Sequence, residues 1–219
     1  MKIAEIAILW DMDGTLIDTL SCHFTAWQDT LLEHGIKLDG EVYYANFGRN
    51  TNTILPILLG FTPDEPQAVR LIEEKERRFR QNVLHQASLI SGVRVWLGKA
   101  NDLHIPQVIA SSSTQENIEF LISRFNISSY FSAFISGADL PAKPEPDVFM
   151  KAAQILNRKP ENCLVIEDSL AGVQAAKAAG MRCIAVTTSQ PQSALTEADL
   201  VVANFNFPFE EMLVQLDIH

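Results

Sequence analysis

Ile3-Ala4-Glu5-Ile6-Ala7-Ile8-Leu9-Trp10, followed at once by Asp11-Met12-Asp13-Gly14-Thr15, is the stretch on which the fold turns. Its first part is short, apolar and rich in isoleucine, the pattern of a buried strand. Its second part puts two carboxylates at i and i+2, with a glycine next, directly beyond that strand. Both acids can then face the crevice at the strand's C-terminal end, where open α/β sheets bind ligands. A calcium loop also begins Asp-x-Asp. It would need Gly at its sixth position and Glu at its twelfth, and those are Leu16 and Cys22. A turn-forming pair of aspartates is the other reading of these two residues alone.

Working outward, similar apolar runs recur at 106–110, 132–136, 163–166, 182–187 and 199–203. Helical patterns lie between or after them at 114–124, 146–156, 170–179 and 208–216. Strands alternating with helices of this length predict βαβ crossovers, hence an α/β, Rossmann-like core with a mostly parallel sheet. Residues 20–90 break the rhythm with helical patterns only, at 20–34, 52–59 and 66–84. The expected organisation is a core from 1–17 and 91–219 with a helical cap inserted at 18–90. Hinges are expected near 16–20 and 88–92. Between Glu73 and Arg80, seven of eight residues are charged. Glu73, Glu74 and Glu76 each precede an arginine by four residues, so the run reads as a solvated helix face.

The 219 residues are 47% hydrophobic, enough to fill a core and too many for a disordered chain. No apolar run reaches the roughly 18 residues of a membrane span. The 27 acidic against 17 basic side chains give a net charge of −10, which argues against a nucleic-acid partner. Lys2 and Glu5 interrupt the first apolar stretch, so no secretory signal is expected. Cys22, Cys163 and Cys183 are odd in number, far apart and without Cys-x-x-Cys spacing. They read as reduced thiols in a cytoplasmic protein. No interface signal stands out, and the expected state is a monomer.

Three further clusters sit where the strands end. Ala110-Ser111-Ser112-Ser113-Thr114 opens a helix, and hydroxyls with backbone N–H groups there suit an anion. Ser113 and Glu116 have capping-box spacing, which leaves Ser111 as the better phosphate ligand. Lys143 stands among Pro141, Pro144 and Pro146, a stiff loop able to hold one ammonium in place. Glu167-Asp168 follows the run Cys163-Leu164-Val165-Ile166, and capping cannot explain two adjacent acids at the end of a buried strand.

Taken together, Asp-x-Asp-Gly-Thr, the strand-end Ser, Lys-Pro-x-Pro and Glu-Asp-Ser-x-x-Gly resemble the four signatures of the haloacid dehalogenase superfamily. The resemblance covers nearly the whole chain, and the insertion is similar to the cap of its phosphatase and β-phosphoglucomutase branch. It implies Asp11 as nucleophile and Asp13 as general acid and base. It also implies Mg²⁺ held by Asp11, the main-chain carbonyl of Asp13 and Asp168, with Glu167 nearby. Ser111, the Ser112 N–H and Lys143 would grip a phosphoryl group. An acid at position 13 favours phosphate esters over carbon–halogen bonds. The four acids, if all ionised, would repel a phosphate. Mg²⁺ and Lys143 return most of that charge, and a proton on Asp13 would complete the balance, so a raised Asp13 pKa is expected.

His23-Phe24-Thr25-Ala26-Trp27 is similar to the mutase members, in which the matching histidine touches the catalytic acid. Those members also use a cap arginine for the distal phosphate. Aligned through Gly48, that position here is Thr51, and Arg49 comes two residues early. The expected function is therefore a Mg²⁺-dependent phosphatase of small phosphorylated metabolites, sugar phosphates foremost. A β-phosphoglucomutase is the alternative, and a non-catalytic binding relative the third reading. His23, Arg49, Asn50, Thr51 and Arg80 are the candidate cap contacts to the substrate.

Overall fold

The computed structural model describes residues 2–219. In chain order its strands are β1 (Ala7–Trp10), β2 (Ile17–Asp18), β3 (Ser88–Leu89), β4 (Gln107–Ser111), β5 (Ala133–Ser136), β6 (Cys163–Glu167), β7 (Arg182–Val186) and β8 (Leu200–Val202). Six of them form one parallel sheet in the order β5-β4-β1-β6-β7-β8. The central strand β1 is buried at every position, as a parallel strand covered on both faces must be. Side chains alternate between two cores. Ile8, Trp10, Ile109, Leu164, Ile166, Ile184 and Val186 enter one. Leu9, Val108, Ala110, Cys163, Val165, Cys183 and Ala185 enter the other. All three cysteines are buried and unpaired.

The helices are α1 (Leu20–Glu33), α2 (Gly40–Ala45), α3 (Thr51–Leu59), α4 (Glu65–Gln86), α5 (Val93–Asp102), α6 (Gln115–Arg124), α7 (Asp147–Ile155), α8 (Leu170–Ala178) and α9 (Phe209–Gln215). Helices α2 to α4 lie in the insertion. Trp27, Leu31, Tyr43, Ile54, Leu55 and Leu71 form its own apolar centre. Cys22, Ala26, Phe79 and Val83 of α1 and α4 instead join the core that holds Trp10 and Leu16. The two crossings between sheet and insertion pair with each other as an antiparallel ladder, Ile17 opposite Leu89 and Asp18 opposite Ser88.

Four local expectations change. Ile3–Glu5 is a 3-10 turn, its Ile3 N–H bound to the His219 carbonyl at 3.0 Å, so the first strand begins only at Ala7. Helix α2, capped by Asp39, and helix α5 were not expected. The charged stretch of α4 is not uniformly solvated. Glu74 and Arg78 pair at 2.7 Å as their spacing predicts, but Lys75 and Glu76 are only 2% and 6% exposed. Arg80 reaches across to Glu116 and Asn117 on α6 instead of back to Glu76.

Candidate active site

Three adjacent strands, β4, β1 and β6, end side by side, and their tips carry Ser111, Asp11 and Glu167-Asp168. The Asp11 N–H still donates to the Ile166 carbonyl at 2.9 Å, so the sheet fixes this residue's backbone. Lys143 reaches in from the proline-rich loop and is 1% exposed. Its Nζ lies 2.6 Å from Asp11 Oδ1 and 2.6 Å from Glu167 Oε1, over the Phe149 ring. Burial acts to lower the lysine's pKa, but the charges of Asp11 and Glu167 outweigh it and hold the ammonium ionised.

Glu167 commits Oε2 to three donors: the Asp168 and Ser169 N–H groups at 2.8 Å each and Ser169 Oγ at 3.0 Å. Only Oε1, shared with Lys143, is left outside this clasp. The spacing Glu-Asp-Ser-x-x-Gly now has a steric reason, because a Cβ on Gly172 would overlap the Glu167 carboxylate. Ser169 meanwhile caps α8 by accepting from the Gly172 N–H at 3.0 Å.

Asp11, Glu167 and Asp168 each offer an oxygen within 4.8 Å of the others. Asp168 Oδ2 is buried without a hydrogen-bond partner. Gly14 leaves room beside it, since a Cβ there would strike that carboxylate. A divalent cation suits such a site: hard oxygen ligands, one of them lacking any other partner. Burial, augmented by Glu167 and Asp13 and only partly offset by Lys143, pushes Asp11 up from 3.8 to about 8. Burial and the neighbouring Glu167 and Asp11 raise Asp168 well above its usual range. In the metal-free fold these acids keep protons that the unfolded chain has released. Their contribution to stability therefore falls as pH rises from about 4 toward 8. A cation takes the place of those protons. Mg²⁺ is expected to raise the melting temperature more at pH 8 than at pH 6; an equal or smaller shift at pH 8 would count against a metal held by these acids.

Asp13 is not part of that acid cluster. Its carboxylate accepts from Thr19 Oγ1 at 2.7 Å and Ser113 Oγ at 2.6 Å, with His23 Nε2 at 3.2 Å. Burial pushes its pKa up, but His23 and the hydroxyl donors prevail and bring it down to about 2. The expected proton on Asp13 is thus replaced by three hydrogen bonds. His23 stacks on Phe79 at 3.8 Å, and burial together with Lys75 lowers its own pKa. Its Nε2–H can donate to Asp13.

The serine cluster differs from its sequence reading. Thr114, not Ser113, caps α6, accepting from the Asn117 N–H at 3.3 Å. Ser113 is free for Asp13, and its N–H donates to Ser111 Oγ at 3.1 Å. Ser112 Oγ donates to the Gly48 carbonyl of the insertion at 2.7 Å. The pocket between insertion and sheet is lined by Asp11, Asp13, Ser111, Ser112 and Ser113 on one side and by His23, Arg49, Thr51 and Lys75 on the other. Two expected cap contacts are elsewhere. Asn50 caps α3 and donates to the Gly137 and Leu140 carbonyls, so it clamps the insertion to the core. Arg80 is held by Asn117 and Glu116. Sequence alone assigns Ser113 to capping and gives no role to Thr19, Tyr43 or Phe47, the last two being aromatic walls of this pocket. Ser113 lies inside the serine cluster and Thr19 in the expected hinge near 16–20, but only tertiary structure shows that both point at Asp13.

Residues 8–186 match the haloacid dehalogenase-like hydrolase family. The chain belongs to this family. Among its relatives, a fructose-1-phosphate phosphatase of Escherichia coli (strain K12) is 30% identical, covering 82% of this chain and 95% of that protein. A β-phosphoglucomutase of Bacillus subtilis (strain 168) is 31% identical over 90% of this chain and 88% of its own. A crystal structure of β-phosphoglucomutase from Clostridium difficile superposes with a TM-score of 0.89 at 26% identity, covering 97% of each chain. The parallel sheet with a helical insertion is thus the architecture of this haloacid dehalogenase-like hydrolase and of its mutase-type relatives.

Proposed function

We propose that this hydrolase is a Mg²⁺-dependent phosphatase of small phosphorylated metabolites, sugar phosphates foremost. The observation that carries the reading is the pair Asp11 and Asp13 opening on one pocket in different electrostatic settings. Asp11 sits against an ammonium in the metal-type acid cluster, and Asp13 sits in a cage of hydroxyl and imidazole donors. Phosphate-ester hydrolysis needs such a division between nucleophile and proton carrier. An Asp11 oxygen attacks phosphorus, the P–O bond to the alcohol breaks, and Asp13 gives that oxygen its proton. Water then attacks the phosphorus of the aspartyl-phosphate as Asp13 takes a proton from it, and the P–O bond to Asp11 breaks to release phosphate and restore the carboxylate. Thr19 and Ser113 are hydroxyls that can turn from donor to acceptor, so one cage holds Asp13 in either state. The arrangement described, with Asp13 ionised, is the one poised to accept a proton.

Mg²⁺ would be held by Asp11, Asp168 and the Asp13 carbonyl, and when bound it supplies positive charge to the phosphoryl oxygens. Lys143, Ser111 and the Ser112 N–H would hold the remaining oxygens. The mutase reading keeps support from the His23–Asp13 contact and from Lys75 lining the cap side. Thr51 in place of a cationic clamp weighs against it. Incubation with Mg²⁺ and a panel of phosphate esters including β-glucose 1-phosphate separates the readings. Free phosphate is expected; glucose 6-phosphate would favour the mutase, and no turnover would favour a binding protein.

Ser113→Ala removes one charge-assisted donor from Asp13, a bond worth about 1.5–3 kcal/mol. Asp13 then holds its proton to higher pH, so the basic limb of the kcat/KM profile, where the general acid loses its proton, should move upward. An unmoved limb in active Ser113→Ala protein would remove Ser113 from the proton-carrier cage.

A further inference from the structure

The inward-facing part of the charged run on α4 has no role in the chemistry above. Glu76 Oε1 accepts from Lys75 Nζ at 2.9 Å and from Thr51 Oγ1 at 3.0 Å. Its Oε2 accepts from Asn117 Nδ2 of the core at 2.7 Å. Asn117 is 1% exposed, and Arg80 donates to its Oδ1 at 3.0 Å, which fixes the direction of the amide. Glu76 is therefore a carboxylate immobilised from three sides, directly behind two residues that line the cap side of the pocket, Thr51 and Lys75. Lys75 also lies over the Trp27 and Phe79 rings, at 5.5 and 5.3 Å, and its charge is already matched by Glu76.

We propose that Glu76 is a specificity-determining residue that closes the cap end of the pocket to a second phosphate group, so that the substrate is a monophosphate ester with a neutral, hydroxylated far end. The proposal rests on the phosphatase reading and narrows it. A distal phosphate would bring up to two negative charges against a carboxylate that Asn117 and Thr51 keep from turning away. Discrimination of this kind comes from a built-in repulsion rather than from an added attraction. A sugar hydroxyl carries no charge and meets no such penalty, and it can accept from Lys75, which lines the pocket. With glutamine at this position, Lys75 would lose its carboxylate partner and join Arg49 as a second unmatched cation lining the pocket, as a second phosphate requires.

The test uses Asp11→Asn protein, which is expected not to consume its ligand, titrated calorimetrically in Mg²⁺ with fructose 1-phosphate and with fructose 1,6-bisphosphate. The monophosphate should bind at least about tenfold more tightly, a difference of about 1.4 kcal/mol. Adding Glu76→Gln should narrow that ratio about tenfold or invert it. Thr51→Arg, which leaves Glu76 in place but neutralises it, should act in the same direction and serves if Glu76→Gln does not fold. A ratio within twofold of the parent in the folded variants, with both sugars still binding, overturns the proposal and leaves the phosphatase reading standing. A parent that prefers the bisphosphate also overturns it. Failure of both sugars to bind, with no phosphate released from any ester by the unsubstituted protein, removes the phosphatase reading and the proposal with it.

Discussion

Asp11→Asn protein is expected to fold normally and to release phosphate from its ester substrates more than about a thousandfold more slowly than the unsubstituted protein. Asparagine keeps the shape of the side chain and an oxygen that can accept from Lys143, now 2.6 Å from Asp11 Oδ1. It lacks the anionic oxygen that must form the bond to phosphorus. The substitution also removes one of three acids crowded in a buried site, so metal-free stability should change little. Phosphate release measured with Mg²⁺ present checks the first claim and urea unfolding the second. Activity within tenfold of the parent would remove Asp11 from the role of nucleophile.

The second large effect is on stability. Lys143→Met should lower the unfolding free energy of the metal-free protein by about 3–5 kcal/mol, the usual result of stripping the partner from a buried charge. Methionine can fill the space over Phe149, so little of the loss is packing. The loss comes from Asp11 and Glu167, both buried, which share that single ammonium. They can escape only by holding protons. The deficit should therefore be larger at pH 8 than at pH 5, because the unfolded chain gives up those protons freely at the higher pH. Urea titrations at the two values measure it. A loss below about 1 kcal/mol at pH 8 would mean that the ion pairs contribute little.

The sheet and the strand-tip residues were legible because local pattern and tertiary position coincide there. An apolar run ends, a polar residue follows, and the chain has nowhere to present it except the crevice. Asp11, Ser111 and Glu167-Asp168 are all of that kind. Helix α5 was missed although Val93, Trp96, Leu97 and Ala100 recur at helical spacing and are all buried. Gly92 just before that pattern and Gly98 within it obscure it. Ser113 and Glu76 were illegible for another reason. Each has a satisfactory local explanation, a capping box for one and an i,i+4 ion pair for the other. Each takes instead a partner far along the chain, Asp13 and Asn117 respectively. Local spacing cannot rank a neighbour against a distant residue that only the folded chain brings close.

The ladder that joins Ile17–Asp18 to Ser88–Leu89 has a mechanical consequence. Two unpaired strands running between two bodies would permit shear, twist and separate slackening of either strand. Hydrogen-bonded to each other, they become one ribbon, stiff within its plane and soft to bending across it. A hinge at this ribbon would reduce relative movement of insertion and sheet toward a single rotational coordinate. Contacts across the cleft, from Ser112–Gly48 to Asn50–Gly137 and Glu76–Asn117, would then engage and release along that same arc.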